Sequence, residues 1–217
     1  MIITIDGPAG AGKSSVANRL ARRLGFRFLD TGAMYRAVAL AGMRKGLDWD
    51  VPDDLARLAQ EIELRVEGER IFLDREDVSE AIRTTEVTAV TRYAAGNPAV
   101  RAQLVELQRR TAARENVVTE GRDQGTVAFP DAECKIFLTA SPEERARRRL
   151  SELLAKNEPV TLDQVLAAQN RRDREDSSRS VGPLLPAPDA VEVCTDGLSL
   201  EQTVQKLESI VRGKMQP

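Results

Sequence analysis

Eight residues near the N-terminus, Gly7-Pro8-Ala9-Gly10-Ala11-Gly12-Lys13-Ser14, constrain this chain more than any other stretch. They fit the pattern GxxxxGK[ST], in which glycines let the backbone turn back so that successive N–H groups point at phosphate oxygens. The context is the one the pattern needs. An apolar run at residues 2–5 leads in, and an amphipathic stretch at 14–24 leads out. A helix starting there adds the positive end of its dipole at the same point. Lys13 is placed to neutralise the β- and γ-phosphates of a nucleotide, and the Ser14 hydroxyl to reach Mg²⁺. Strand, loop and helix in this order commit the chain to an α/β fold.

The rest of the chain keeps the alternation. Residues 26–29, 117–119, 135–139 and 191–194 read as further short strands, and 33–45, 99–113, 142–155 and 200–211 as helices. Ser141 ahead of Pro142, Glu143 and Glu144 combines a cap, a first-turn proline and an acidic first turn. Five strands alternating with helices predict a parallel five-stranded sheet covered on both faces, the P-loop NTPase type of architecture.

Two stretches break the pattern. From about residue 49 to 98 the chain is acidic, and residues 64–73 read as two strands about Gly68. From about 157 to 188 charge and proline dominate, with Arg171, Arg172, Arg174 and Arg179 close together. That stretch reads either as a solvated helix followed by a loop, or as a mobile flap whose arginines close over a phosphate. The expected organisation is therefore a single domain. Its core is 1–48, 99–156 and 189–217, and the two departing stretches fall at about 49–98 and 157–188.

Composition removes whole classes of chemistry. With no His in 217 residues, His-based triads, His metal sites and phosphohistidine relays are out. Cys134 and Cys194 lack the spacing of a zinc cage, and each sits beside an apolar run, where a small buried side chain is expected. A net charge of −2 gives no field to draw nucleic acid or anionic lipid. Met1 leads straight into the first strand without a basic leader, and no apolar run approaches the roughly 20 residues of a membrane span. A cytoplasmic monomer working on small molecules is expected.

A small kinase suits this size and motif, since no Asn-Lys-x-Asp guanine tetrad is present. Phosphoryl transfer is mostly positioning and charge neutralisation, so arginines must converge on two phosphate groups. The candidates are Arg36, Arg101, Arg122, Arg172, Arg179 and the run Arg145-Ala146-Arg147-Arg148-Arg149. Ligands of open α/β sheets sit beyond the carboxyl ends of the strands. That rule puts Asp30-Thr31-Gly32 and Glu120-Gly121-Arg122-Asp123 on the ligand edge.

These residues, taken in order, resemble the bacterial cytidylate kinases. The likeness runs from Met1 to Val211 and is carried by Ile5-Asp6-Gly7-Pro8 and Asp30-Thr31-Gly32-Ala33-Met34-Tyr35-Arg36. Further on it rests on Asp77-Val78-Ser79, Ile82-Arg83-Thr84, Gly121-Arg122-Asp123 with Gly125-Thr126-Val127, Arg172-Asp173, Asp176-Ser177, Arg179 and Pro183-Leu184. The resemblance implies a core, an enlarged monophosphate-binding insert and a lid. It also implies transfer of the γ-phosphoryl group of ATP to CMP or dCMP with Mg²⁺. ATP would be held by Gly7, Pro8, Ala9, Gly10, Ala11, Gly12, Lys13, Ser14 and Ser15, with Arg145 stacking on adenine and Arg149 touching the phosphates. Arg36 and Arg122 would hold the acceptor phosphate. Thr31, Arg101, Asp123 and Arg179 would surround cytosine, and Arg172 with Asp176 would reach the sugar. Lys13, Arg122 and Arg149 would then carry the catalytic charge.

The implied roles make chemical sense. Cytosine offers an N4 amino donor where uracil offers a carbonyl, so a carboxylate such as Asp123 favours cytosine. A plainer role for Asp123 is an ion pair that orients Arg122 or Arg179, and Arg172 with Asp176 has the i,i+4 spacing of a surface pair. Two departures from the family pattern stand out. Arg92 occupies a position where a small hydroxyl residue usually meets the sugar, with Thr91 the neighbouring hydroxyl, and Gln124 replaces a usually apolar residue. Two rival readings remain: the same fold acting on UMP, AMP or shikimate, and a nucleotide-gated binding module whose arginine run meets RNA or a partner. An aromatic content of 4% weighs against RNA.

Overall fold

All five expected strands form in a computed structural model of the chain, which describes residues 1–155 and 157–215. They are β1 (Ile2–Asp6), β2 (Arg27–Asp30), β6 (Val117–Gly121), β7 (Cys134–Thr139) and β8 (Val191–Cys194). Their order in the parallel sheet is β2-β6-β1-β7-β8. β1 lies centrally, with Ile2 opposite Val117 and Asp6 opposite Gly121 on one side, and Asp6 opposite Phe137 on the other. Both faces of β1 are covered, which is why Ile3, Thr4 and Ile5 are all fully buried and the strand shows no polar alternation.

The chain divides into two compact units. The first takes in Met1–Phe26 and the chain from Val117 onward. It holds α1 (Lys13–Leu24), α6 (Pro142–Ala155), α7 (Leu162–Ser177) and α8 (Leu200–Met215). α1 turns Val16, Ala17, Leu20 and Ala21 inward and α8 turns Val204, Leu207 and Val211 inward, each at helical spacing. The expected lid stretch lies wholly in this unit. Its helix, α7, starts at a capping box: Thr161 Oγ1 accepts from the Gln164 N–H while Gln164 Oε1 accepts from the Thr161 N–H at 2.9 Å. Val165 then packs against Ala146 and Leu153 of α6. Cys134 is buried as expected. Cys194 is exposed instead, because β8 is the sheet's edge strand and its last residue faces outward.

The second unit, Arg27–Asn116, contains the whole expected insert together with α2 (Thr31–Lys45) and α5 (Pro98–Ala112). The hairpin about Gly68 forms as β3 (Leu64–Glu67) and β4 (Arg70–Leu73), and a short third strand, β5 (Glu76–Asp77), joins it. Two helices were not legible. α3 (Pro52–Glu61) opens on Pro52, Asp53 and Asp54, a start signal, but is only ten residues long. α4 (Thr85–Gly96) is rich in Thr and Val, which favour strands, and packing overrides that preference by burying Val87, Thr91 and Ala94.

Candidate active site

The phosphate loop is built by sterics that only glycine satisfies. A Cβ on Gly7 would stand 2.0 Å from the Leu138 carbonyl oxygen, so the chain can leave β1 only through a glycine. Gly12 then caps α1 in the left-handed region at φ 87°. The first turn of α1 carries no acidic residue, which leaves its positive end open to an anion. Lys13 folds back over the loop, and its Nζ donates to the Pro8 carbonyl at 2.7 Å. Its side chain is 5% exposed. Burial, with Arg122 adding its repulsion, pulls the Lys13 ammonium down to about 7 despite the attraction of Glu120 and Asp6. A group in that condition gains most from an arriving phosphate.

Ser14 Oγ donates to Glu120 Oε1 at 2.8 Å. Glu120 is buried at the end of β6, the strand beside β1. The sequence placed Glu120 on the ligand edge but gave it no role. Its signal was an acid at the tip of an apolar strand, two residues before Arg122. Among the described residues no three Cys, Asp or Glu side chains cluster so as to hold a metal by themselves. The hydroxyl and carboxylate pair is a hard-oxygen donor set of the kind Mg²⁺ uses alongside nucleotide phosphates.

α6 and α7 lie directly on the loop. Arg145 is buried and donates from Nη1 to the Ala9 carbonyl at 2.9 Å and to Asp173 Oδ2 at 2.6 Å, and from Nε to the Ala140 carbonyl at 3.1 Å. In this arrangement it braces the loop rather than standing open for stacking. Arg149 pairs with Glu152 at 2.9 Å on the outer side of α6. Arg148, which had no assigned role, comes nearer the loop: its Nη1 lies 4.0 Å from where a Cβ on Gly12 would be. It also donates to the Thr195 hydroxyl and carbonyl at 3.0 and 2.9 Å.

The acceptor candidates fall in both units, and each group is organised within its own. In the first, Asp176 is 3% exposed between two arginines. Its Oδ2 accepts from Arg122 Nε at 2.7 Å, and its Oδ1 pairs with Arg179. Asp176 stays well below the usual carboxylate range: Arg122 and Arg179 outweigh the opposing effect of burial. Arg172, an exposed residue of α7, adds to the positive field at Asp176 and at Lys13. Asp123 is buried where the chain turns from β6. Gln124 is explained: buried, it accepts from the Thr119 hydroxyl at 2.9 Å, so its polar side chain is matched inside the unit.

In the second unit the Asp30 carboxylate caps α2, with Oδ1 accepting from the Ala33 N–H at 2.8 Å. Its Oδ2 pairs with Arg36 Nη2 at 3.1 Å. Gly32 makes room for that pair, since a Cβ there would stand 3.1 Å from Arg36 Nη1. Thr31, the first residue of α2, is buried beside them. Arg101 is buried on α5 over the ring of Tyr35, 5.5 Å from its centroid, and donates to the Ala95 carbonyl at 3.1 Å. Arg92 lies over the ring of Tyr93 at 4.9 Å, and Tyr93 stacks on Trp49. The Thr91 hydroxyl donates to the Val87 carbonyl at 2.7 Å within α4.

Comparison with known proteins agrees with this chemistry. The family model for cytidylate kinase matches residues 3–213. The cytidylate kinase of Rhodopirellula baltica is 53% identical over 212 residues, spanning 98% of this chain and 93% of its own. That of Pelotomaculum thermopropionicum is 51% identical, spanning 94% and 93%. The Mycobacterium leprae enzyme is 48% identical, spanning 98% and 96%. A shikimate kinase structure from Bacteroides thetaiotaomicron covers 98% of both chains with a TM-score of 0.51, but at 15% identity this is a likeness of fold alone. About half of all residues, along nearly the whole length, are shared with cytidylate kinases, and the chain belongs to the cytidylate kinase family.

Proposed function

We propose that this chain transfers the γ-phosphoryl group of ATP to CMP or dCMP, giving CDP or dCDP and ADP. The observation that carries this reading is the near-full-length identity to cytidylate kinases combined with the built phosphate loop. The loop N–H groups and Lys13 bind the donor phosphates, and Lys13 takes up charge as they arrive. Arg36 and Arg122 serve the acceptor phosphate, the role the family likeness gives them. Asp123 accepts from the cytosine N4 amino group, with Thr31, Arg101 and Arg179 about the base and Arg172 and Asp176 at the sugar. Mg²⁺ fits the Ser14 and Glu120 oxygens, and when bound it neutralises phosphate charge. Residues 49–98 serve as the acceptor-binding insert and 157–188 as a lid that keeps water from the transferred group. The chain acts as a cytoplasmic monomer.

ADP release with Mg-ATP and, separately, CMP, dCMP, UMP and AMP tests the reading. Turnover with CMP should exceed that with UMP by about a hundredfold or more, because a site built around a hydrogen bond rejects the analogue lacking it. Equal rates with UMP would sink the role of Asp123. Silence with CMP would sink the function.

A further inference from the structure

β1 ends on Asp6, the residue immediately before the phosphate loop, and its side chain has no part in the reaction described above. The Asp6 carboxylate, 4% exposed, accepts from two consecutive backbone N–H groups. Oδ1 accepts from Gln124 at 2.9 Å and Oδ2 from Gly125 at 2.7 Å. Those amides open a single π-helical turn, Gln124–Ala128, directly after Arg122 and Asp123. Such turns are rare and concentrate at functional sites. The loop also lies close against β1 at Gly125. A Cβ on Gly125 would stand 2.9 Å from Thr4 Oγ1 and 3.4 Å from Asp6 Oδ2.

Asp6 itself cannot shift. Its backbone is paired opposite Gly121 on one side and Phe137 on the other, and Gly7 behind it is pressed against the Leu138 carbonyl. We propose that Asp6 is a positioning residue that fixes the Arg122–Asp123 loop in register with the phosphate loop, so that acceptor and donor phosphates are held at one separation. The inference rests on the acceptor role given to Arg122 and Asp123 above. The two N–H groups reach two different oxygens, an arrangement that a carboxylate supplies and an amide, with one oxygen, does not. Burial raises the Asp6 carboxyl to about 6 against the pull of both amides and of Lys13.

The test uses the full-length chain carrying Asp6→Asn. One of the two amides then faces an NH₂ group and loses its acceptor. KM for CMP should rise about tenfold or more, while the affinity for the donor-site probe mant-ADP changes less than about threefold. Hydrogen exchange at the Gln124 and Gly125 amides should speed up about tenfold with β1 unchanged. Gly125→Ala pushes the loop away from β1 and should reproduce the same kinetic split. Adding Thr4→Ala, which removes the nearest atom, should restore it. Unchanged exchange at the two amides, or equal losses for CMP and mant-ADP, would overturn the proposal. If Asp6→Asn does not fold, the Gly125→Ala pair decides by rescue or its failure. If the unaltered chain does not turn over CMP, the functional reading fails separately, and amide exchange still decides whether Asp6 holds the loop.

Discussion

Replacing Lys13 by methionine is expected to lower turnover about a thousandfold while leaving the chain at least as stable at pH 7 as it was before. The activity loss follows from removing the ammonium folded over the phosphate loop, where charge develops in the transition state. The stability result follows from the same burial. The Lys13 ammonium falls from 10.5 to about 7 on folding. At every pH below 10.5 the unfolded chain therefore binds this proton more readily than the folded one, and the folding penalty is complete below about 7. Methionine of similar length removes that penalty. As pH rises from 7 toward 10.5, the unaltered chain should gain stability relative to Lys13→Met, because its own penalty fades. Melting curves of both proteins across that range check the sign. A variant that melts far below the original at pH 7, or that keeps full turnover, contradicts the site described for Lys13.

Arg122→Ala is expected to behave differently, losing activity and stability together. Arg122 holds Asp176 through Nε, and Asp176 is almost wholly buried. Taking away one partner leaves a buried carboxylate balanced by its ion pair with Arg179 and the field of Arg172. The melting temperature should fall by roughly 5–10 °C, the lower range for breaking a buried pair in a chain of this size. On the proposed acceptor role, kcat/KM for CMP should fall about a thousandfold. Arg122→Lys separates the two effects. It keeps a positive charge near Asp176 and should recover part of the stability, but a single ammonium cannot serve carboxylate and phosphate as a guanidinium fork does. Recovery of full activity in Arg122→Lys would mean that charge alone matters at this position.

Much of this architecture was legible because it is local. The phosphate loop, the five strands and the Asp30-Thr31-Gly32 turn follow from glycine sterics, apolar runs and a cap, all properties of adjacent residues. The two helices of the insert were hidden for opposite reasons: α3 is short, and α4 is written in strand-favouring residues that only burial turns into a helix. The site divides the same way. Lys13, Arg122 and Asp123 announced themselves through motif and position. Asp6, Glu120 and Arg148 did not, since their roles rest on contacts 47 to 119 residues away in sequence, to Arg122's loop, to Ser14 and to Thr195. Asp176 illustrates the point most sharply. Its spacing from Arg172 suggested a surface pair within α7, whereas the folded chain buries it against Arg122, 54 residues earlier.

The measurement closest to the central claim is the product balance of one reaction: the chain with Mg-ATP and CMP, resolved by chromatography. Direct transfer between held phosphates predicts CDP and ADP appearing together in equal amounts, with no free phosphate released beyond background. ADP with inorganic phosphate and no CDP would show that water, not CMP, is the acceptor, and would contradict the account.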